Sequence, residues 1–297
     1  MWRFAHLTDF HAGNMPESMG NNRILHPRLP EIISTLRRDF KERPPDLMLV
    51  TGDLTAEPSR DALFAARDLL DSLRVPYLPV GGNSDFQHPL SRQWFLEAFG
   101  ARLPVEDTCY ACTFQGVRFC TLDPWCTWSD GTLAPFPEEG GRPSWVAPPN
   151  QLEWLEEELQ RHHAMPVVVA LHQPLMPIPL RLRRRGMVEK QCLANGELVM
   201  DLLRRRGNVK AVFSGHTHLH SIVQQHGIAH VATGALVEYP VEYREVEVEP
   251  GRRIMINTRC LGDARFAEAS LIKGREWVQG EDCDRSLEIL LDAASAA

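Results

Sequence analysis

The sequence has no long apolar run. Nowhere does it approach the roughly 18 consecutive apolar residues that a membrane helix needs. The opening Met1-Trp2-Arg3-Phe4-Ala5-His6 lacks the basic and apolar regions of a secretory signal. Positive charge is not in excess: 32 Lys and Arg stand against 39 Asp and Glu, a net charge of -7. A broad basic footprint for nucleic acid is therefore not expected, although a local basic groove is not excluded. Cysteine is too scattered for a disulfide framework, and its odd count of seven suits a reducing, cytoplasmic setting. There is no internal repeat and no low-complexity tract. What remains is an ordinary globular composition over 297 residues, 43% hydrophobic and 24% charged, enough to bury a substantial core.

Apolar runs alternate with helical patterns. Strands are expected at 2–7, 46–51, 75–80, 166–171 and 209–213, with a hairpin at 109–114 and 117–122 around Gln115-Gly116. Helical spacing predicts helices over 30–40, 59–73, 151–161 and 196–206. Further strands are expected at 221–225 and 228–233. Residues 124–149, rich in Pro, Gly and Trp, read as a long surface loop. After Glu238 the pattern changes: 239–249 alternates Val with Glu or Arg, 252–258 reads as its hairpin partner, and 284–294 as a closing helix. The chain is thus an α/β domain over 1–238 with a small β-rich extension over 239–297. That extension either caps the site or forms a homodimer surface.

Five groups of potential ligands each follow an apolar strand: Asp9-Phe10-His11, Gly52-Asp53, Gly82-Asn83, His172 and Gly215-His216-Thr217-His218. Loops at the carboxyl ends of strands converge above an α/β sheet, so five such groups point to one site. Imidazole and carboxylate together suit Zn, Fe or Mn. One carboxylate, Asp53, has two oxygens with which to bridge two ions. Seven donors are too many for one tetrahedral ion and right for a pair with open positions.

These motifs, Asp9-x-His11, Gly52-Asp53, Gly82-Asn83, His172-x-Pro174 and Gly215-His216-x-His218, resemble in kind and order the calcineurin-like metallophosphoesterase superfamily. The spacing is most similar to its cyclic-nucleotide and glycerophosphodiester phosphodiesterase branch. The resemblance covers residues 1 to about 235 and implies a four-layer α/β/β/α sandwich. It implies a first ion on Asp9, His11, Asp53 and His218, and a second on Asp53, Asn83, His172 and His216. The expected reaction is hydrolysis of a small phosphoester by in-line attack of a metal-activated hydroxide.

One position departs from the family pattern. Where a His usually follows the Asn, this chain has Ser84, then Asp85. Asp53, Ser84 and Asp85 are the candidate catalytic residues. A serine hydroxyl is too weak an acid to protonate an alkoxide, so good leaving groups, or a donor such as His26, His88 or His220, are expected instead. A DNA-repair-type nuclease uses the same metal motifs, and Ser84 admits a catalytically weak metal-binding scaffold; the acidic balance argues against the first and the full ligand set against the second.

Other features have simpler readings. His6 reads as a packed core histidine, and His162-His163 as a helix cap. Cys109-x-x-Cys112 has no second pair at zinc spacing and reads as strand packing. Arg204-Arg205-Arg206 complements a helix C-terminus. Among the run Arg181, Arg183, Arg184 and Arg185, the first two are candidate substrate contacts, since Arg forms bidentate bonds to phosphate. The tryptophans of 124–149 read as loop anchors.

Overall fold

The computed structural model describes residues 1–14, 24–141, 143–184 and 192–291. The strands, in chain order, are β1 (Trp2–Leu7), β2 (Leu47–Thr51), β3 (Tyr77–Val80), β4 (Ala111–Phe114), β5 (Val117–Thr121), β6 (Trp125–Thr127), β7 (Leu133–Ala134), β8 (Ser144–Val146), β9 (Val167–Ala170), β10 (Val209–Ser214), β11 (Ser221–Gln225), β12 (Ile228–Ala232), β13 (Glu242–Glu249), β14 (Arg253–Cys260) and β15 (Ser286–Leu290). The helices are α1 (Leu29–Glu42), α2 (Arg60–Ser72), α3 (Ser91–Phe99), α4 (Pro149–Arg161), α5 (Gly196–Arg206) and α6 (Ala264–Ser270). They build two six-stranded sheets, ordered β15-β14-β13-β1-β2-β3 and β11-β12-β10-β9-β5-β4.

Period-two alternation explains how the sheets stack. On β1, Trp2 and Phe4 point between the sheets, with Leu49 and Val80 beside them and Phe119, Val168 and Phe213 facing from the second sheet. Ala5 and Leu7 point the other way, under α1, α2 and α3 through Ile32, Leu36, Leu63 and Phe95. On the far side, Val167, Val169 and Val212 pack under α4 and α5 through Leu155, Leu159, Val199 and Leu203. The four-layer α/β/β/α sandwich is the result.

Local signals set the helix ends. Ser59 caps α2 by accepting the Ala62 amide at 3.1 Å, a contact of about 1 kcal/mol. α5 ends where Gly207 turns left-handed. His162 caps α4, its ring hydrogen-bonded to the Glu158 carbonyl.

Three segments differ from the sequence expectation. Residues 124–149 are not simply loop, since β6, β7 and β8 form a three-stranded sheet of their own. The strands past Glu238, set apart as an extension, lie inside the first sheet: β13 pairs antiparallel with β1 from Trp2↔Val248 to His6↔Arg244. No seam between sheets falls at that residue. The closing helix expected over 284–294 is replaced by β15 over residues 286–290, paired with β14; residues 292–294 lie outside the described residues. Leu287, Ile289 and Leu291 alternate as a strand requires, and such a short apolar run fits either period.

Several histidines are buried neutral. Burial, then the nearby Arg244, lowers His6 to about 3; burial, then His226, lowers His230 to about 4. A folded-state pKa below the unfolded value of about 6.5 means that acid favours the unfolded chain. Stability is therefore full above about pH 6.5 and lost as pH falls below it. Each such histidine is expected to cost about 1 kcal/mol by pH 5.5. Urea unfolding of chelator-treated wild type and His230→Gln at pH 7.5 and 5.5 reads this loss by difference, because Asp85 and His172, both held above their unfolded values, gain stability over the same range. A His230→Gln protein whose stability responds to acid as the wild type's does contradicts the assignment.

Candidate metal centre

Every expected ligand sits where a strand ends. Asp9 and His11 follow β1, Asp53 follows β2, Asn83 follows β3, His172 follows β9, and His216 and His218 follow β10. The backbone is strained there: Asp9, His11, Asp53, His216 and His218 all have φ between 46° and 67°. Non-glycine residues rarely adopt this region, and such strain clusters at functional sites. Two glycines let the loops close in. A Cβ on Gly82 would lie 2.2 Å from the Asp53 amide nitrogen, and one on Gly215 1.9 Å from Thr8 Oγ1.

The donors form two groups joined by Asp53. Asp9, His11, Asp53 and His218, all buried, bring one ligand atom each within 4.8 Å of one another. Asp9 Oδ1 lies 3.1 Å from His218 Nε2 and 3.9 Å from His11 Nε2. The second group surrounds His172 Nε2, which lies 3.2 Å from Asp53 Oδ1, 3.1 Å from Asn83 Oδ1 and 3.3 Å from His216 Nδ1. Asp53 therefore turns Oδ1 to the second group and Oδ2, 3.8 Å from His11 Nε2, to the first.

The outer partners fix which atoms face inward. His172 Nδ1 donates to the Thr51 carbonyl at 2.8 Å, and a carbonyl can only accept. Its Nε2 is then the nitrogen turned to the centre, the one that would give up its proton to bind metal. His218 Nδ1 likewise faces Glu238 Oε1 at 3.1 Å. Asp9 Oδ2 accepts from Thr8 Oγ1 at 2.7 Å and from the His216 amide at 3.0 Å, which leaves Oδ1 for the centre. Ser84 donates twice to Asp53, from its amide at 2.8 Å and its hydroxyl at 3.0 Å.

The electrostatics call for a cation. Burial opposes the charge on Asp9, yet His218 and His172 hold it below the ordinary carboxylate range. Burial also opposes the charge on Asp53, and His172 and His11 hold it low. Burial alone would lower His172, but Asp53 and Asp9 outweigh it and lift the ring to about 9. Oxygen and nitrogen atoms of carboxylate, amide and imidazole crowd together in each group, and a borderline divalent ion would satisfy them. The donor set fits a pair of ions.

The remaining candidates fall elsewhere. Asp85 lies beneath the loops and accepts from the amides of Leu54, Thr55 and Gly82 and from the Thr55 hydroxyl at 2.7–3.1 Å. Burial and the Asp53 charge raise it to about 7 against these donors. It ties the Asp53 loop to the Asn83 loop. Arg181 forms a bidentate pair with the buried Asp284 at 2.5 Å, and Arg183 donates to the Ile178 carbonyl; Arg185 lies outside the described residues. His220 is buried, 3.3 Å from Glu242 Oε2. His88 accepts the Leu90 amide on Nδ1 at 3.1 Å. His26 lies in a short 3-10 turn before α1.

Sequence reasoning missed Glu238 and Thr51 as orienting partners. Neither carries a local signal, because each acts through a residue far along the chain. Glu238→Gln keeps the shape and removes the charge behind His218. Outer-partner changes of this kind cost about 10–100-fold in metal affinity. Competition with a fluorescent chelator measures it, and an unchanged affinity contradicts the role.

The comparisons agree with this geometry. A family model described as calcineurin-like phosphoesterase matches residues 3–220. A probable cyclic nucleotide phosphodiesterase of Synechococcus sp. is 26% identical over 254 residues, 83% of this chain and 87% of the relative. A glycerophosphodiester phosphodiesterase of Enterobacter lignolyticus is 25% identical, covering 83% of this chain and 81% of its own. Among solved structures, a dimetal phosphatase from Danio rerio superposes with a TM-score of 0.66 at 16% identity, over 98% of this chain and 99% of that one. The chain belongs to the calcineurin-like phosphoesterase family and is a metal-dependent phosphoesterase.

Proposed function

We propose that the protein hydrolyses a phosphodiester of a small nucleotide or similar metabolite, using two ions drawn from Mn, Fe and Zn. The two-sided presentation of Asp53 carries this reading. Asp9, His11, Asp53 and His218 would hold one ion; Asp53, Asn83, His172 and His216 would hold the other. When bound, such a pair supplies an activated water and stabilises charge at phosphorus. Ser84 holds the shared carboxylate in place rather than protonating a leaving group, and Asp85 sets the spacing of the two loops.

A diester carries one negative charge and a monoester up to two. Arg181, the expected phosphate contact, is paired with Asp284, which leaves charge matching to the ions. The names of the relatives also favour a diester. The seven cysteines are all free thiols, in keeping with a cytoplasmic setting, and no helix among the described residues is long and apolar enough to cross a membrane.

The test is a panel of cyclic AMP, glycerophosphocholine, bis(4-nitrophenyl) phosphate and 4-nitrophenyl phosphate with Mn-loaded protein. At least one diester is expected to exceed the monoester in kcat/KM by about tenfold, 1.4 kcal/mol of transition-state binding. A monoester that outpaces every diester contradicts the proposal.

A further inference from the structure

Beside Asn83 the surface opens into a cleft of about 630 Å³, between the loop after β3 and the segment joining β7 to β8. That volume suits a small ligand, and a ligand site is characteristically an apolar hollow with a few fixed polar groups. Both features are present. Phe136 and Trp145 line it, with prolines from both loops and the exposed Glu138 and Glu139. Trp145 is only 6% exposed and packs into the core beneath the second sheet, so that wall is rigid. Phe136 is held by Trp128, whose ring meets it edge-on at 5.6 Å and whose Nε1 donates to the Phe136 carbonyl.

The polar edge is equally fixed. His88 stacks on Trp94 with centroids 4.6 Å apart and planes at 12°. Its Nδ1 accepts the Leu90 amide, which leaves the Nε2–H side as the donor. Gln87 adds an amide with both donor and acceptor.

We infer that this cleft seats an aromatic arm of the substrate, a nucleobase or aryl ring, while the phosphoryl group lies at the neighbouring centre. Flat apolar walls favour a ring, and a donor with an amide at the edge can read heteroatoms. The inference rests on the phosphodiesterase reading and narrows it: an aromatic-armed ester is preferred over a glycerol-armed one.

Calorimetric titration of Mn-loaded protein with phenylphosphonate and methylphosphonate tests it, since the two differ only in the arm. Phenylphosphonate is expected to bind at least tenfold more tightly. Gln87 is exposed, and Gln87→Trp, which fills the cleft, is expected to bring the ratio of phenylphosphonate to methylphosphonate affinity to about one. Phe136→Ala is expected to weaken phenylphosphonate several-fold. Equal affinities in the wild type, or a Gln87→Trp protein that keeps the preference, overturn the inference. Diester turnover with equal phosphonate affinities removes the cleft alone; a phenyl preference without turnover of any diester removes the phosphodiesterase reading and leaves the cleft.

Discussion

Asp53→Ala is expected to lower kcat/KM for a phosphodiester by about 10³-fold or more, on the order of 4 kcal/mol of transition-state stabilisation. Its two oxygens face the two donor groups: Oδ1 lies 3.2 Å from His172 Nε2 and Oδ2 3.8 Å from His11 Nε2. Its removal separates the two groups rather than weakening one. The ion-free fold is expected to weaken as well. His172 and His11 hold the Asp53 carboxylate low and Ser84 donates to it twice, so truncation leaves a buried imidazole and two donors without their acceptor. The melting temperature of chelator-treated Asp53→Ala is therefore expected to fall below that of the wild type, and activity is read on protein shown to be folded at the assay temperature. Full activity in the folded variant contradicts the bridging role.

Arg244→Ala is expected to bring a loss of about 3–5 kcal/mol in stability, from a residue that touches no ligand. Arg244 is fully buried. From β13 it reaches across to the second sheet, donating to the Ala232 carbonyl at 3.0 Å, and it holds the Asp284 carbonyl at 2.6 Å. It also bonds Thr258 and Thr233. Truncation leaves these acceptors buried without a donor and adds a cavity. Thr233 in turn bonds His6, and His6 bonds Thr51. Urea unfolding measures the loss, and a change below 1 kcal/mol would show that the network is not holding the sheets together.

Arg244 also shows what sequence pattern conceals. On β13, residues 242, 244, 246 and 248 share one face, and Val246 and Val248 place it between the sheets. The alternation of Val with Glu or Arg does not show that the charged residues of that face are buried, because their partners come from β12, β14 and the turn before β15. For the same reason the strands after Glu238 looked like an addition. Their pairing with β1 joins residues more than 200 positions apart, and local periodicity carries no record of it. The centre was legible because its signal is local, a chemically distinctive residue placed at the end of each apolar run. α3 was missed, although Trp94, Phe95 and Phe99 mark its buried side; β7, of two residues, is too short to alternate. The sequence shows Ser84 as a weak acid, but its hydrogen bonds to Asp53 appear only when two loops meet.

The most direct measurement is metal content. Protein loaded with Mn²⁺, desalted and analysed by plasma mass spectrometry is predicted to hold about two ions per chain, and His172→Ala about one. A wild-type chain that retains one ion or none under the same conditions would contradict the paired centre.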